Sequence, residues 1–187
     1  MKKLILASAS PRRKELLSML KIPFDIVTSE VEEVMDQFLQ PSELVMKLAE
    51  EKANDVSKKF PDAVVIGADT IVTYEDKKLG KPTSNEDAFA MLRMLSGKTH
   101  EVYTGVSIVN DGGVSNFYQC TKITFSELTD QEILDYIETN EPMDKAGSYG
   151  IQGYGGTFVE KIEGDYYSVV GLPINKLKNY LMGAMNN

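Results

Sequence analysis

The sequence has one cysteine, Cys120, one histidine, His100, and no tryptophan. One cysteine excludes an internal disulfide, and one histidine excludes a His-rich metal site. Any metal here would be a hard ion, held by carboxylates and by the phosphates of a substrate. No apolar run approaches the ~18 residues that cross a bilayer. The N-terminus opens on a short strand interrupted by polar residues, which is not a signal-peptide pattern. Basic charge is also scarce: 20 Lys and Arg stand against 28 Asp and Glu, for a net charge of −8. Binding to nucleic acid, which needs a broad basic surface, is disfavoured, and no recognition-helix pattern supports it. There is no internal repeat, no low-complexity tract and no linker between two cores. The expectation is a soluble cytoplasmic protein, a single domain over residues 1–187, with neither nucleic acid nor membrane as partner. A homodimer is expected on the prevalence of twofold oligomers alone.

What is present is a chain of 187 residues, 42% hydrophobic, enough for a sizeable core. It begins with an apolar strand, Leu4-Ile5-Leu6, turns through Ser8-Ala9-Ser10 and enters a helix with Leu16, Leu17 and Leu20 on one face. Ser10 suits the N-cap and Pro11 the first helical position. Ser8, Arg12 and Arg13 then gather at or beside a helix N-terminus. Backbone N–H groups, the helix dipole, hydroxyls and guanidinium groups meet there, a combination suited to phosphate. By itself the stretch reads equally well as an ordinary strand–turn–helix opening with two solvated arginines.

Phe24 to Thr28 reads as a second strand, followed by the acidic run Glu30, Glu32, Glu33. Such a run is commonly a solvated loop; alternatively one of these glutamates holds a divalent ion. Pro41 to Phe60 reads as a long helix with a stripe of Val45, Leu48, Ala49, Ala53 and Val56. Lys52 falls inside that stripe, so its ammonium either snorkels at the edge or reaches an anionic ligand. Ala63 to Ile66 is an all-apolar strand fit for the centre of a sheet. Asp69 follows it in Gly67-Ala68-Asp69-Thr70, before Ile71 to Tyr74 resumes the extended pattern. An aspartate between apolar segments is costly to bury unpaired, and ends of strands are where open α/β sheets place chemistry. Lys81 precedes Pro82 and is held extended.

Ser84 caps a helix from Asn85 to about Ser96, with Gly97 as its stop. Strands over Val102–Val109 and Val114–Phe125 are joined by Asn110-Asp111-Gly112-Gly113, a strong hairpin signal. Cys120 reads as a small strand residue and His100 as structural or solvent-facing. Thr129 and Glu132 make a capping box for a helix to about Asn140. The stretch 146–156 is glycine-rich with two tyrosines; it is either a flexible linker or a loop whose backbone closely approaches a ligand. It is not a P-loop, because no Gly-Lys-Ser/Thr follows. Thr157–Ile162 and Tyr166–Val170 read as a second hairpin, and a closing helix runs from near Pro173 to about Met185. The fold class is α/β with a mixed sheet, in two lobes.

SASPRRKELL at 8–17, EVEE at 30–33, EEKA at 50–53, GADT at 67–70, LGKP at 79–82, DKAGSYGIQG at 144–153 and GDYYSVVGLP at 164–173 stand in order at fitting separations. Together they resemble the Maf family, the septum-formation inhibitor proteins, which are nucleoside triphosphate pyrophosphatases. The resemblance covers essentially the whole chain. It implies a mixed α/β fold like that of the inosine triphosphate pyrophosphatases, with the nucleotide in a cleft between two lobes. It implies Asp69 as catalytic proton acceptor, Glu33 with Asp69 as the metal-linked acids, and Ser8, Arg13, Lys52 and Lys81 as phosphate-handling residues. Arg12, Thr70 and Gln152 match the specificity markers of the branch acting on dTTP and UTP. In the branch acting on 7-methyl-GTP these are typically an aromatic, a glutamine and a glutamate.

The implied reaction is hydrolysis of the α–β phosphoanhydride of dTTP and UTP, extending to modified pyrimidine nucleotides, to the monophosphate and pyrophosphate. The implied cofactor is Mg²⁺ or Mn²⁺, since the available ligands are oxygens. Gln152 can donate and accept, so it can read the O4/N3–H edge of uracil or thymine. The alternatives are a pyrophosphatase for ITP or XTP, and a nucleotide-binding regulator of septum formation without turnover.

Overall fold

A computed structural model describes residues 2–186 of the chain. Strand β1 (Leu4–Leu6) leads into helix α1 (Pro11–Ser18), whose N-cap Ser10 accepts the N–H of Arg13, with Pro11 in the first turn. A short β2 (Asp25–Ile26) is all that forms of the expected second strand, and residues 27–36 are irregular. Helix α2 (Pro41–Ser57) buries Leu44, Val45, Leu48, Ala49, Ala53 and Val56, one stripe of a 3.6-residue period. Next come β3 (Val64–Tyr74), β4 (Lys77–Leu79), α3 (Asn85–Leu95), β5 (Thr99–Asn110) and β6 (Gly113–Phe125). Helix α4 (Asp130–Glu138), a run of 3₁₀ turns, β7 (Val159–Glu163), α5 (Tyr166–Val170) and α6 (Ile174–Asn186) complete the order.

The seven strands form one mixed sheet in the order β2-β1-β3-β5-β6-β7, with β4 paired to β3. β1 runs parallel to both β2 and β3, with Leu6 opposite Ile26 and Ile66. β4 and β7 are antiparallel to β3 and β6. The α/β class with a mixed sheet is therefore as the sequence suggested.

Two expectations about elements are corrected. Asp69 and Thr70 lie within β3, which continues from Val64 to Tyr74 without a loop. Tyr166–Val170 is a helix, although its aromatic and β-branched residues favour a strand. Asp165 decides it: its carboxylate accepts the N–H of Ser168 at 2.8 Å, a cap on the first turn.

Contacts divide the chain into two units. The first comprises Met1–Asp69, Thr104–Gln119 and Gly171–Asn187, and the second Thr70–Tyr103 and Cys120–Val170. In the first, Ile5, Ala7, Val65 and Val109 pack on Ala53 and Val56 of α2. In the second, α3 and α4 bury Leu92, Leu95, Ile133 and Tyr136 with Phe125, Tyr149 and Phe158. Among the described residues no helix is long and apolar enough to cross a membrane.

His100, expected to be structural or solvent-facing, is 1% exposed. Its Nε2 lies 2.7 Å from the Tyr149 hydroxyl, and its ring meets Phe125 edge-on. Burial pushes its pKa down to about 3, so the imidazole is neutral. It is a core residue.

Candidate active site

In the first unit the site begins with a close approach. A Cβ at Gly67 would stand 2.1 Å from the Ala49 carbonyl oxygen and 2.9 Å from the Ala53 nitrogen. At Gly105 it would stand 2.3 Å from the Val45 carbonyl carbon. Only glycine at these two positions lets α2 lie this close to β3 and β5. Lys52, one position before Ala53, is thereby brought to Asp69, two positions after Gly67. The Lys52 ammonium bonds Asp69 Oδ1 at 2.8 Å, Glu33 Oε1 at 2.8 Å and the Ala68 carbonyl at 3.4 Å. An ammonium has three N–H donors, and three oxygens meet them. The two readings of Lys52 thus resolve into a third: it reaches anions at the rim of the core, and they are the protein's own carboxylates.

Asp69 is 6% exposed. Burial raises its pKa above the ordinary carboxylate range and Glu33 adds to the rise, while Lys52 and Arg13 oppose both. A raised pKa makes a better proton acceptor than a free aspartate. Glu33 is reached from the irregular segment after β2, and that segment is pinned to α2. The Asp55 carboxylate accepts the Ser29 hydroxyl at 3.1 Å and the Glu30 N–H at 3.0 Å. Asp55 lies three positions after Lys52, one helical turn along, so one turn of α2 carries both the ammonium and the anchor of its second partner. The sequence reading missed Asp55; its i+3 spacing from Lys52 was the available signal.

Ser8 follows β1 and is 8% exposed, its hydroxyl oxygen accepting the N–H of Ser10 at 3.2 Å. Arg12 and Arg13 occupy the first turn of α1 and are half-buried. Arg13 Nε donates to the Gly171 carbonyl at 2.8 Å, which fixes its guanidinium. Burial lowers the Arg13 pKa, Asp69 and Glu33 raise it, and neighbouring Arg12 lowers it further. Ser8, Arg12, Arg13, Glu33, Lys52 and Asp69 therefore all belong to the first unit. Ion pairs join Lys52 with Asp69 and Glu33, and electrostatics couple Arg13 to both carboxylates and to neighbouring Arg12.

Thr70, Lys81 and Gln152 belong to the second unit. Thr70 is half-buried in β3, and Lys81 and Gln152 are exposed. Their segments are stitched together: β3 pairs with β4 through Val72 and Leu79, and the Gly147 N–H donates to the Gly80 carbonyl at 3.1 Å. A Cβ at Gly147 would strike Val72 at 2.6 Å, and its φ of +70° suits glycine. The glycine-rich stretch is no linker, since Gly147, Ser148, Tyr149 and Gly150 are all buried. Of its two tyrosines, Tyr149 faces the core and Tyr154 is exposed.

Glu33 and Asp69 each bond the Lys52 ammonium through one oxygen, and each carries a second carboxylate oxygen, a hard donor. Among the described residues no group of three or more His, Cys, Asp and Glu could hold a metal. Two carboxylates fit the partial ligation of Mg²⁺ or Mn²⁺, the remainder coming from substrate phosphates and water.

The family described as Maf-like protein matches this chain over residues 3–184. The chain belongs to the Maf family. A relative called dTTP/UTP pyrophosphatase in Bacillus cereus strain G9842 is 59% identical over 177 residues, covering 95% of this chain and 93% of the relative. A second with that description, from Bacillus cereus strain ATCC 10987, is also 59% identical, covering 95% of this chain and 87% of its own. Among solved structures, a nucleoside-triphosphatase / dITP/XTP pyrophosphatase from Mycobacterium abscessus aligns with a TM-score of 0.43 and 14% identity, over 67% of this chain and 75% of that one.

Proposed function

We propose that this Maf protein hydrolyses the α–β phosphoanhydride of dTTP and UTP, and of modified pyrimidine nucleotides, releasing the monophosphate and pyrophosphate. The observation that carries the reading is the Lys52 ammonium, 2.8 Å from both Asp69 and Glu33, in a chain 59% identical to dTTP/UTP pyrophosphatases.

Asp69 accepts the proton of the attacking water. Lys52 fixes its Oδ1, which leaves Oδ2 as the oxygen able to take that proton, and burial raises its basicity. The triphosphate carries close to four negative charges at neutral pH. Arg12 and Arg13 offset them, with Ser8 as a hydroxyl donor and Lys81 as a further cation, and they stabilise the charge growing on the leaving pyrophosphate. Arg13 starts fixed by Gly171, so little of its freedom is lost on binding. Glu33 and Asp69 would hold Mg²⁺ or Mn²⁺, which when bound neutralises phosphate charge and makes water more acidic. Gln152 reads the O4/N3–H edge of the base, Thr70 sits beside Asp69 as a second selectivity position, and Arg12 completes that set. The reading extends to a single-domain cytoplasmic enzyme working as a homodimer; the net charge of −8 argues against a nucleic-acid partner.

Pyrophosphate release from dTTP, UTP, CTP, GTP and ITP with Mg²⁺ or Mn²⁺ tests this. Release from dTTP and UTP well above the others is expected. Release only from ITP would move the specificity to purines. Tight nucleotide binding without release would favour a regulator of septum formation.

A further inference from the structure

The loop that carries Gln152 is held by a residue outside every motif quoted above. Glu141 lies in the 3₁₀ turn after α4 and is half-buried. Its carboxylate accepts the Tyr154 N–H at 2.9 Å, the Gly155 N–H at 3.0 Å and the Tyr136 hydroxyl. The Tyr136 hydroxyl in turn accepts the Gly150 N–H at 3.1 Å. The loop is therefore gripped on both sides of Gln152, at Gly150 before it and at Tyr154 and Gly155 after it.

The grip is close enough to dictate the loop's composition. A Cβ at Gly153 would stand 1.6 Å from Glu141 Oε1, and one at Gly155 2.5 Å from the Tyr136 hydroxyl. The glycines next to and near Gln152 are where this carboxylate and this phenol sit. The clamp is also anchored from below. Tyr136 is fully buried in the second unit's core, edge-on to Phe158, and Lys145 Nζ donates to the Glu141 carbonyl at 2.8 Å. Burial works to raise the Glu141 pKa, but the bonds from Tyr136, Gly155 and Tyr154 and the charge of Lys145 outweigh it and hold the carboxyl below its ordinary range. An ionised carboxylate only accepts, and every group facing it here donates. Gln152 itself is exposed, and the bonds at Gly150, Tyr154 and Gly155 hold the backbone on either side of it.

We propose that Glu141 and Tyr136 are positioning residues for Gln152, fixing the loop so that its amide meets the pyrimidine edge in one orientation. This rests on the reading of Gln152 as the base-selecting residue. Freezing the loop before binding removes an ordering cost from the nucleotide complex, so loosening it raises KM and blurs selectivity more than it lowers kcat. A glutamine at 141 is a poor replacement, because its NH₂ would face a donor.

The test compares Glu141→Gln, the milder Tyr136→Phe and Gln152→Glu with wild type. Steady-state kinetics on dTTP and CTP are read beside thermal unfolding, so that the ratio is taken only on folded protein. The expected result is a fall of about tenfold in the dTTP-to-CTP ratio of kcat/KM for Glu141→Gln, carried by KM, and a smaller fall of the same kind for Tyr136→Phe. Gln152→Glu should change the ratio at least as much. If Gln152→Glu changes the ratio while folded Glu141→Gln and Tyr136→Phe keep the wild-type value, the positioning role is wrong and the base-reading role stands. If all three leave it unchanged, the base-reading role fails and takes this inference with it. If the clamp variants lower kcat alone, with KM and the ratio intact, the two residues act on something other than Gln152 and the proposal is overturned.

Discussion

In the first unit a half-buried cation, Lys52, is surrounded by oxygens, two of them carboxylate. In the second a half-buried carboxylate, Glu141, is surrounded by donors, two of them backbone N–H groups. Both arrangements satisfy a charge, but by different means. Lys52 is balanced by other full charges, so removing it leaves the buried Asp69 without its nearest counter-charge. Glu141 is balanced mainly by dipoles, so its removal releases a loop without stranding an opposite charge. The difference matches the two tasks proposed. Proton abstraction and phosphate binding need concentrated charge, whereas telling one base from another needs backbone held in place.

Breaking the first arrangement should have the larger effect. Lys52→Met leaves Asp69 buried beside Glu33 without its nearest counter-charge. Activity on dTTP should fall by at least about 100-fold, and stability by about 3 kcal/mol, read by pyrophosphate release and urea unfolding. Gly67→Ala attacks the same cluster without touching a charge. Its methyl meets the Ala49 carbonyl, so α2 must shift and carry Lys52 with it. A loss of about 2–3 kcal/mol and of about tenfold in kcat is expected, the second because positioning errors of an ångström are costly in catalysis.

The smallest effect sharpens the comparison from the other side. The second unit buries a titratable group, His100, that is kept neutral, its Nε2 partnered only by a hydroxyl and its Nδ1 without a partner among the described residues. Its folded pKa of about 3 lies below the ordinary 6.5. The neutral ring therefore contributes its full stability above pH 6.5, and that contribution is lost as pH falls from 6.5 toward 3. Between pH 7.5 and pH 5, wild type should lose about 2 kcal/mol relative to His100→Phe. Unfolding midpoints at the two pH values measure it, and parallel curves would show that His100 is not held neutral.

Local signals carried much of this fold. Ser10-Pro11, Ser84 and Thr129–Glu132 state their helix starts, and the structure has each cap. Asp111-Gly112 states its turn between β5 and β6. The helix at Tyr166 was not legible, because YYSVV has strand propensity and its cap, Asp165, reads equally well as part of a hairpin turn. The family motifs singled out Lys52, Asp69 and Glu33, but their mutual pairing was not visible. It depends on Gly67 and Gly105 admitting α2 to the sheet and on Asp55 fastening the Glu30 segment, and those are contacts between residues far apart in sequence. Glu141 was invisible for the same reason: the backbone N–H groups it accepts belong to Tyr154 and Gly155, 13 and 14 positions on.

The central claim is that Asp69 is the proton acceptor of a pyrimidine triphosphate pyrophosphatase. Asp69→Asn tests it most directly, because the amide keeps the size and can still accept from Lys52 but cannot take the proton. Pyrophosphate release from dTTP and UTP should fall by at least about 1,000-fold, with dTTP still binding and the protein still folded. Release within tenfold of wild type would contradict the account, and the Lys52–Asp69–Glu33 cluster would then be a structural ion network.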